Sequence, residues 1–482
     1  MSRKKRILIR TFTVILAFII ILGAFIFRAY NYGFNYKKGK EIPDKVTIQD
    51  DGNDYDTIKA VGRGLYDKDG NRFNIQGVNF GNWLLQEGWM TVMSMGPLLD
   101  ENGSYVGVSD QGIVTEYEEI YQEELDAALQ ARVDSGEWTI EQLDALWNAY
   151  YDSYCQEQDF INIKNLGLNT IRLPMYYRNF MEGPDDKLVM REDAFERVDW
   201  FLEMAKKYGL FVILDMHGVV GGQSGFEHSG TRDREFWFNE TYQQEMCTLW
   251  KNIALHYIND RPDLAYTILA YDLVNEPATA TTATGKTEWD VMDKLYDAIR
   301  SVDKEHVISI EGVWYFNSLP DPEEYGWENV LYQGHFYNWN SQIISFEAFY
   351  TLMWQTLSMA DYDVPRYIGE FTFFDDEERW VRYLNLFDEM GFGWTFWSYK
   401  TISVGWWDSS WGLYVQKMHL YNRDENGELV VTTDPSKYVL KLDVRTASYE
   451  DLYKEWSTQE TDRYYRTEKM YSYIEKYNES KK

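Results

Sequence analysis

Short apolar runs of strand length recur along the chain, with helix-period segments between most of them. The runs at Asn74–Val78, Asn169–Leu173, Phe211–Leu214, Thr267–Val274, His306–Ile310, Val330–Tyr332, Arg366–Ile368 and Trp394–Trp397 predict eight strands. Between them, Glu192–Tyr208 places Phe195, Val198, Leu202 and Ala205 on roughly one side and stops at Gly209, the pattern of a capped amphipathic helix. Trp289–Val302, Phe346–Met359 and Glu377–Met390 show similar spacing, whereas Gly312–Asn329 carries only a weak helical pattern. Strands alternating with helices imply a parallel sheet, and eight of them predict an α/β protein closed as a (β/α)8 TIM barrel. The alternative, an open doubly wound sheet, lacks a Gly-rich phosphate fingerprint after the first strand.

Other segments fall outside that repeat. Gly64–Phe73, with Asp69-Gly70 at its centre, predicts a hairpin leading into the first strand. Two excursions exceed what a barrel needs: Gly81–Gln156, with an acidic helical stretch at Tyr117–Val133, and the chain after Trp411, ending in a predicted charged helix at Tyr449–Tyr477. Loops that follow strands build the working face of such barrels, so both are expected to wall a substrate site, with inert surface elaboration as the alternative.

At the N-terminus, Arg3, Lys4, Lys5, Arg6 and Arg10 lead into an uncharged run from Thr11 to Phe27 that Arg28 ends. As a helix the run spans about 26 Å, just short of a hydrocarbon core, and flanking arginines can snorkel across the difference. With no clean small-residue cleavage site after it, residues 1–28 are expected to be a transmembrane signal anchor and 29–56 a tether. The catalytic domain, 57–478, would then lie on the extracytoplasmic side of the cell membrane by the positive-inside rule.

Composition narrows the partners. The chain is 45% hydrophobic and 26% charged, enough for a core. Its net charge of -31 excludes a nucleic-acid surface, which needs clustered Lys and Arg. Solubility alone would also explain the acidity. A neutral polysaccharide is the better match, and the 17% aromatic content suits stacking on sugar rings. The two cysteines, Cys155 and Cys247, could form one disulfide or pack as two thiols.

The candidate chemistry sits at strand ends. In a βα barrel, polar residues at the carboxyl ends of strands face the active site. Reading there gives Asn79, Arg172, His217, Asn275 with Glu276, His335 with Tyr337, Glu370 and Trp397. Glu276 lies in Asp272-Leu273-Val274-Asn275-Glu276-Pro277 and Glu370 in Tyr367-Ile368-Gly369-Glu370-Phe371. Two carboxyls at one barrel mouth are what glycosidic cleavage requires, one to protonate the leaving oxygen and one to attack carbon or activate water. Asp215 and His217 are close in sequence, but no His-x-His, His-Glu-x-x-His or paired-cysteine spacing accompanies them, so neither a metal nor another cofactor is expected. A serine nucleophile elbow is missing too.

This set, in this order, resembles glycoside hydrolase family 5, the retaining β-glycosidases built on a βα barrel. The resemblance rests on Thr170-Ile171-Arg172-Leu173-Pro174, Leu214-Asp215-Met216-His217-Gly218, Val274-Asn275-Glu276-Pro277, His335-Phe336-Tyr337, Ile368-Gly369-Glu370-Phe371 and Trp394-Thr395-Phe396-Trp397. It implies Glu276 as acid/base, Glu370 as nucleophile, and a pocket floor of Arg172, His217, Asn275, His335, Tyr337 and Trp397. Two further stretches, Gly77-Val78-Asn79-Phe80-Gly81-Asn82-Trp83 and His217 to Gly230, are similar to the exo-β-1,3-glucanase branch. That similarity implies that Glu87 grips hydroxyls of a terminal glucose. Tyr399 stands where the branch usually has a second tryptophan, and Val219-Val220 where it has Ala-Pro.

The expected substrate is therefore a β-linked oligo- or polysaccharide, cleaved with retention by double displacement. Three alternatives stay open: an endo-acting glucanase or mannanase, a glycolipid glucosidase, and a surface carbohydrate-binding protein without turnover.

Overall fold

The computed structural model describes residues 42–48, 57–106, 116–278, 286–312, 316–338, 348, 350, 362–401, 411–416, 420–423, 429–432 and 441–482. Its centre is a closed barrel of eight parallel strands: β1 (Gln76–Asn79), β2 (Thr170–Tyr176), β3 (Phe211–Gly218), β4 (Ile268–Asp272), β5 (Val307–Glu311), β6 (Val330–Phe336), β7 (Arg366–Phe371) and β8 (Phe392–Phe396). Each pairs with its neighbour in chain order, and β8 closes on β1 through Trp394–Gln76, Thr395–Gly77 and Phe396–Val78. The strands are buried along nearly their whole length, which is why they read as continuous apolar runs rather than as alternation. All eight expected strands are present, shifted by a few residues at their ends.

Helices surround the barrel: α1 (Gln122–Asp134), α2 (Ile140–Tyr154), α3 (Glu157–Asn165), α4 (Glu196–Tyr208), α5 (Glu240–Leu255), α6 (Lys286–Arg300), α7 (Glu377–Met390), α8 (Tyr449–Trp456) and α9 (Glu468–Glu479). Local signals set their ends. Asp376 caps α7 by accepting from the Arg379 amide, and Gly391, at φ 75°, ends it in the left-handed conformation that glycine adopts without strain. Gly209, at φ 63°, ends α4 in the same way.

The expected hairpin forms, with Gly64–Tyr66 antiparallel to Arg72–Phe73 and Lys59–Val61 added beside it. Its Leu65, with Ile58, packs on Ile75, Ile213, Leu269, Val307, Leu331 and Tyr367, early residues of the barrel strands. The hairpin thus plugs the amino-terminal end of the barrel with apolar side chains, leaving the polar chemistry to the carboxyl-terminal end.

One expectation needs revision. Tyr449–Tyr477 is not one helix: α8 ends at Trp456, a turn at Thr461–Arg463 and a strand at Tyr464–Arg466 follow, and α9 closes the chain. The strand pairs with Tyr414–Gln416, so sheet pairing overrides local helical propensity there. Between Gly312 and Asn329, where the sequence carries only a weak helical pattern, the described residues form two short turns, Phe316–Ser318 and Pro322–Tyr325. The expected helix Phe346–Met359 lies almost wholly outside the described residues.

The two excursions pack on each other. Leu442–Asp443 runs parallel to Met93–Ser94, and Arg132 on α1 donates to the Val444 and Ala447 carbonyls. Cys155 and Cys247 are both free thiols; burial pushes Cys247 up to about 11. The predicted anchor at residues 1–28 and most of the tether lie outside the described residues, and among the described residues no helix is long and apolar enough to cross a membrane.

Candidate active site

A cavity of about 520 Å³ opens at the carboxyl-terminal end of the barrel. Of the residues picked from sequence, Glu87, His217, Asn275, Glu276, Tyr337, Glu370 and Trp397 line it. Arg172, Asn79 and His335 sit one layer beneath, at 0 to 1% exposure. Asn79 and Arg172 were expected to touch substrate, yet both spend their polar atoms within the protein. Asn79 donates to the Gly369 carbonyl at 2.8 Å and accepts from Arg172 Nη1 at 3.2 Å.

Glu370, on β7, has each oxygen held. Arg172 Nη1 donates to Oε1 at 2.8 Å and the Tyr337 hydroxyl donates to Oε2 at 2.9 Å. One of these donors is charged and one neutral, and the charge-assisted contact is the stronger of the two. Glu276 follows β4 with φ 41°, a left-handed conformation that costs a non-glycine residue about 1 to 3 kcal/mol unless its surroundings hold it. The Glu311 carboxyl group, at the end of β5, provides that hold by accepting from the Glu276 amide at 2.9 Å.

His335 joins the two glutamates. A shift in the β6–β7 register at Gly334/His335 sets it opposite Glu370. Its Nδ1 lies 2.8 Å from Glu276 Oε1 and 3.5 Å from Glu370 Oε2. Those oxygens are therefore no farther apart than the two lengths laid end to end, about 6.3 Å. On the other side of Glu276, His228 Nε2 stands 3.3 Å from Oε2 and 3.0 Å from Ser224 Oγ. Burial holds His335 down to about 3 and His228 to about 4, so both rings are neutral near pH 7.

Beneath the cavity one guanidinium organises four acids. Arg172 lies 2.8 Å from Glu370, 3.0 Å from Asp215, 3.0 Å from Asp272 and 4.0 Å from Glu311. Burial raises Asp272 and Glu311 above the usual carboxylate range, and their attraction to Arg172 only partly offsets it. Arg172 Nη2 also donates to Asn275 Oδ1 at 2.8 Å, which turns the Asn275 amide nitrogen toward His217 Nε2, 3.4 Å away. His217 in turn donates from Nδ1 to Asp215 at 2.6 Å and lies parallel to Trp397 at 5.6 Å. A Cβ on Gly81 would come within 2.8 Å of the Trp397 ring edge, so glycine is what lets the indole approach the chain there.

The walls come from the excursions. The first contributes Glu87, Trp89 and Glu119, and the segment past β8 contributes Trp411. Trp89 Nε1 donates to Glu87 Oε2 at 3.0 Å, and the Trp89 and Trp411 rings meet at 5.2 Å. Tyr337 packs on Trp411 at 5.8 Å, carrying the aromatic wall down to Glu370. Burial and the nearby Glu227 push Glu87 well above the ordinary carboxylate range. Trp89, Trp411, Glu119, Glu227, His228 and Glu311 were not picked out from sequence. Glu227 and His228 lie inside the His217–Gly230 stretch, but the others carry no motif.

Glu276, Glu311 and His335 offer ligand atoms within 4.8 Å of one another, close enough for a cation. The imidazole, however, presents Nδ1 to Glu276 and Nε2 to Glu311. Its two nitrogens point apart, the geometry of a hydrogen-bonded chain rather than of three ligands meeting at one ion.

A family model described as cellulase (glycosyl hydrolase family 5) matches residues 133–403. A β-xylosidase from Phanerodontia chrysosporium is 28% identical over 58% of this chain and 52% of its own length. A glucan 1,3-β-glucosidase from Lachancea kluyveri is 30% identical over 54% of this chain and 56% of its own. The chain thus spans about half the length of these relatives. The crystal structure of a rutinosidase from Aspergillus niger shares the fold, with a TM-score of 0.50 at 16% identity over 70% of this chain and 92% of that one.

Proposed function

Because the chain belongs to the cellulase family, glycosyl hydrolase family 5, we propose that it is a retaining β-glycosidase acting on β-glucosidic bonds of a glucan or glucoside. Glu370 serves as nucleophile and Glu276 as acid/base. The observation that carries this reading is the shared contact of both glutamates with His335 Nδ1, which keeps the facing oxygens within about 6.3 Å. Retaining carboxyl pairs stand closer, about 5 to 5.5 Å, than inverting pairs, about 6.5 to 9.5 Å, and contact of both glutamates with one ring nitrogen favours the closer class.

The roles follow from the partners. Glu370, gripped by Arg172 and Tyr337, is prepared as the anion that attacks the anomeric carbon. Glu276 faces the cavity between two neutral imidazoles, placed to deliver a proton to the leaving oxygen. After the glycosyl-enzyme forms, the same Glu276 takes a proton from the incoming water. Asn275, anchored through its oxygen by Arg172 and with one amide N–H toward His217, has its second N–H for the sugar 2-hydroxyl, and Trp397 lines the cavity beside the ring.

An exo mode is favoured by Glu87, Glu119 and Glu227 lining the cavity together. A wall of carboxyls beside one sugar unit grips hydroxyls and leaves little room for a continuing chain. The proposal includes a cell-surface placement, which rests on the sequence of residues 1–28 alone. The test is a panel of aryl β-glycosides with the full chain, beside Glu370→Ala and Glu276→Ala. Turnover of a β-glucoside that disappears in Glu370→Ala, and that azide partly restores in Glu276→Ala, supports the reading. Equal turnover by wild type and Glu370→Ala rejects it.

A further inference from the structure

Beside His335 lies a buried acid, Glu311, with no part in the proton transfers of Glu276 and Glu370. Glu311 is buried at 1% exposure. Its Oε2 is doubly occupied, accepting from the Glu276 amide at 2.9 Å and from Gln333 Nε2 at 3.0 Å. Among the described residues its Oε1 makes no hydrogen bond of ordinary geometry, and neither does His335 Nε2. These two atoms face each other at 3.4 Å.

On the opposite edge of the ring, oxygens of both Glu276 and Glu370 converge on Nδ1. A neutral imidazole has one N–H, and two converging carboxyl oxygens call for it at Nδ1. Nε2 is then a bare lone pair. An ionised Oε1 opposite it would set lone pair against lone pair between two buried atoms, whereas a protonated Oε1 makes a hydrogen bond. Charge balance favours the same choice. Arg172 is a single cation among four carboxyls, and Glu311, at 4.0 Å, lies farthest from it.

We propose that Glu311 is a neutral carboxylic acid whose Oε1–H donates to His335 Nε2, fixing this histidine as the Nδ1–H tautomer that serves the Glu276–Glu370 pair. Glu311 is thus a positioning residue with two grips, one on the strained backbone of Glu276 and one on the ring that bridges the glutamates. Burial and the neighbouring acids Asp272 and Glu276, which raise its carboxyl well above the usual range, act in the same direction. The inference rests on the reading of Glu276 and Glu370 as the working pair.

The first test needs no turnover, so it stands or falls separately from that reading. In the full chain labelled with nitrogen-15 at its six histidines, proton–nitrogen correlation spectra at pH 7 report the tautomer of each ring, and His335→Gln assigns the signal. The expected pattern is a protonated Nδ1 and a bare Nε2 for His335; a protonated Nε2 in the wild-type chain overturns the proposal. Kinetics provide the second readout. Glu311→Leu removes both grips and should lower kcat about 100-fold with KM changed less than about threefold, the size of a disturbed acid–base step. Glu311→Gln keeps an acceptor for the Glu276 amide and an N–H donor for Nε2, and should recover at least about tenfold over Glu311→Leu while keeping the tautomer. A Glu311→Gln enzyme as slow as Glu311→Leu would show that Glu311 acts as an anion and would overturn the proposal.

Discussion

Replacing Arg172 by methionine should damage stability and catalysis together, and its size follows from what that side chain touches. The guanidinium is 0% exposed and lies within 3.0 Å of Glu370, Asp215 and Asp272. Methionine fills similar volume but leaves those acids without their cation, and breaking a buried pair from one side costs about 3 to 5 kcal/mol. At about 2.1 cal/mol/K of unfolding entropy per residue, a chain of 482 residues moves its melting midpoint about 1 °C per kcal/mol, so the loss should be about 3 to 5 °C. The sign with pH is fixed as well. Buried acids deprived of their cation hold protons more tightly folded than unfolded, so stability is present at low pH and lost as pH rises. The gap between wild type and Arg172→Met should therefore be wider at pH 8 than at pH 5. Because Glu370 loses its charged donor, kcat should fall at least about 100-fold. Calorimetry at both pH values and steady-state kinetics measure all three. A variant that melts within about 1 °C of wild type at both pH values and keeps most of its kcat would refute the assignment of Arg172 as the organising cation.

Three further outcomes are expected. Tyr337→Phe deletes the 2.9 Å hydrogen bond to Glu370; a hydrogen bond to a charged group is worth about 1.5 to 3 kcal/mol, so kcat should drop about 10- to 150-fold, and a change under twofold would show that the hydroxyl is idle. Trp411→Ala removes the ring between Trp89 and Tyr337 and should raise KM about tenfold with a smaller effect on kcat, as loss of uniform binding does; a lowered kcat at constant KM would place Trp411 in the chemistry instead. Lys441, which donates to the Gly88 carbonyl at 2.6 Å, is held down to about 7 by burial. Its folded value lies below the unfolded one, so between about pH 7 and 10.5 the unfolded chain binds the extra proton and stability rises with pH. Relative to Lys441→Met, the wild type should gain up to about 3 kcal/mol from pH 7.5 to 9.5 in denaturant titrations; a pH-independent difference would mean that the ammonium is not desolvated.

The barrel was legible in the sequence because strands buried on both faces must be apolar along their length, and because α7 carries its own cap at Asp376 and its own stop at Gly391. Glu276 and Glu370 were legible for a related reason: each follows such a run at the end of the barrel where polar residues collect. What failed to show was anything set by partners distant in the chain. Glu311 meets Glu276 and His335 across strands, and nothing around it in sequence announces that meeting. Trp89 and Trp411 come from opposite ends of the domain and vanish among the 19 tryptophans. Asn79 illustrates the limit of the strand-end rule: it ends β1 as expected, yet its amide is turned inward to Gly369 and Arg172. The strand at Tyr464–Arg466 was hidden because its pairing partner, Tyr414–Gln416, lies far upstream.

The geometry of the two glutamates leads to one outcome that stereochemistry reads directly. On whichever aryl β-glycoside the chain turns over, proton NMR of the first-formed sugar, taken before mutarotation, should show the β-anomer. Double displacement through Glu370 inverts the anomeric carbon twice, so retention is the result that the account predicts. An α-anomer appearing first would mean that a water fits between the carboxyls, and would contradict the assignment of Glu370 as nucleophile.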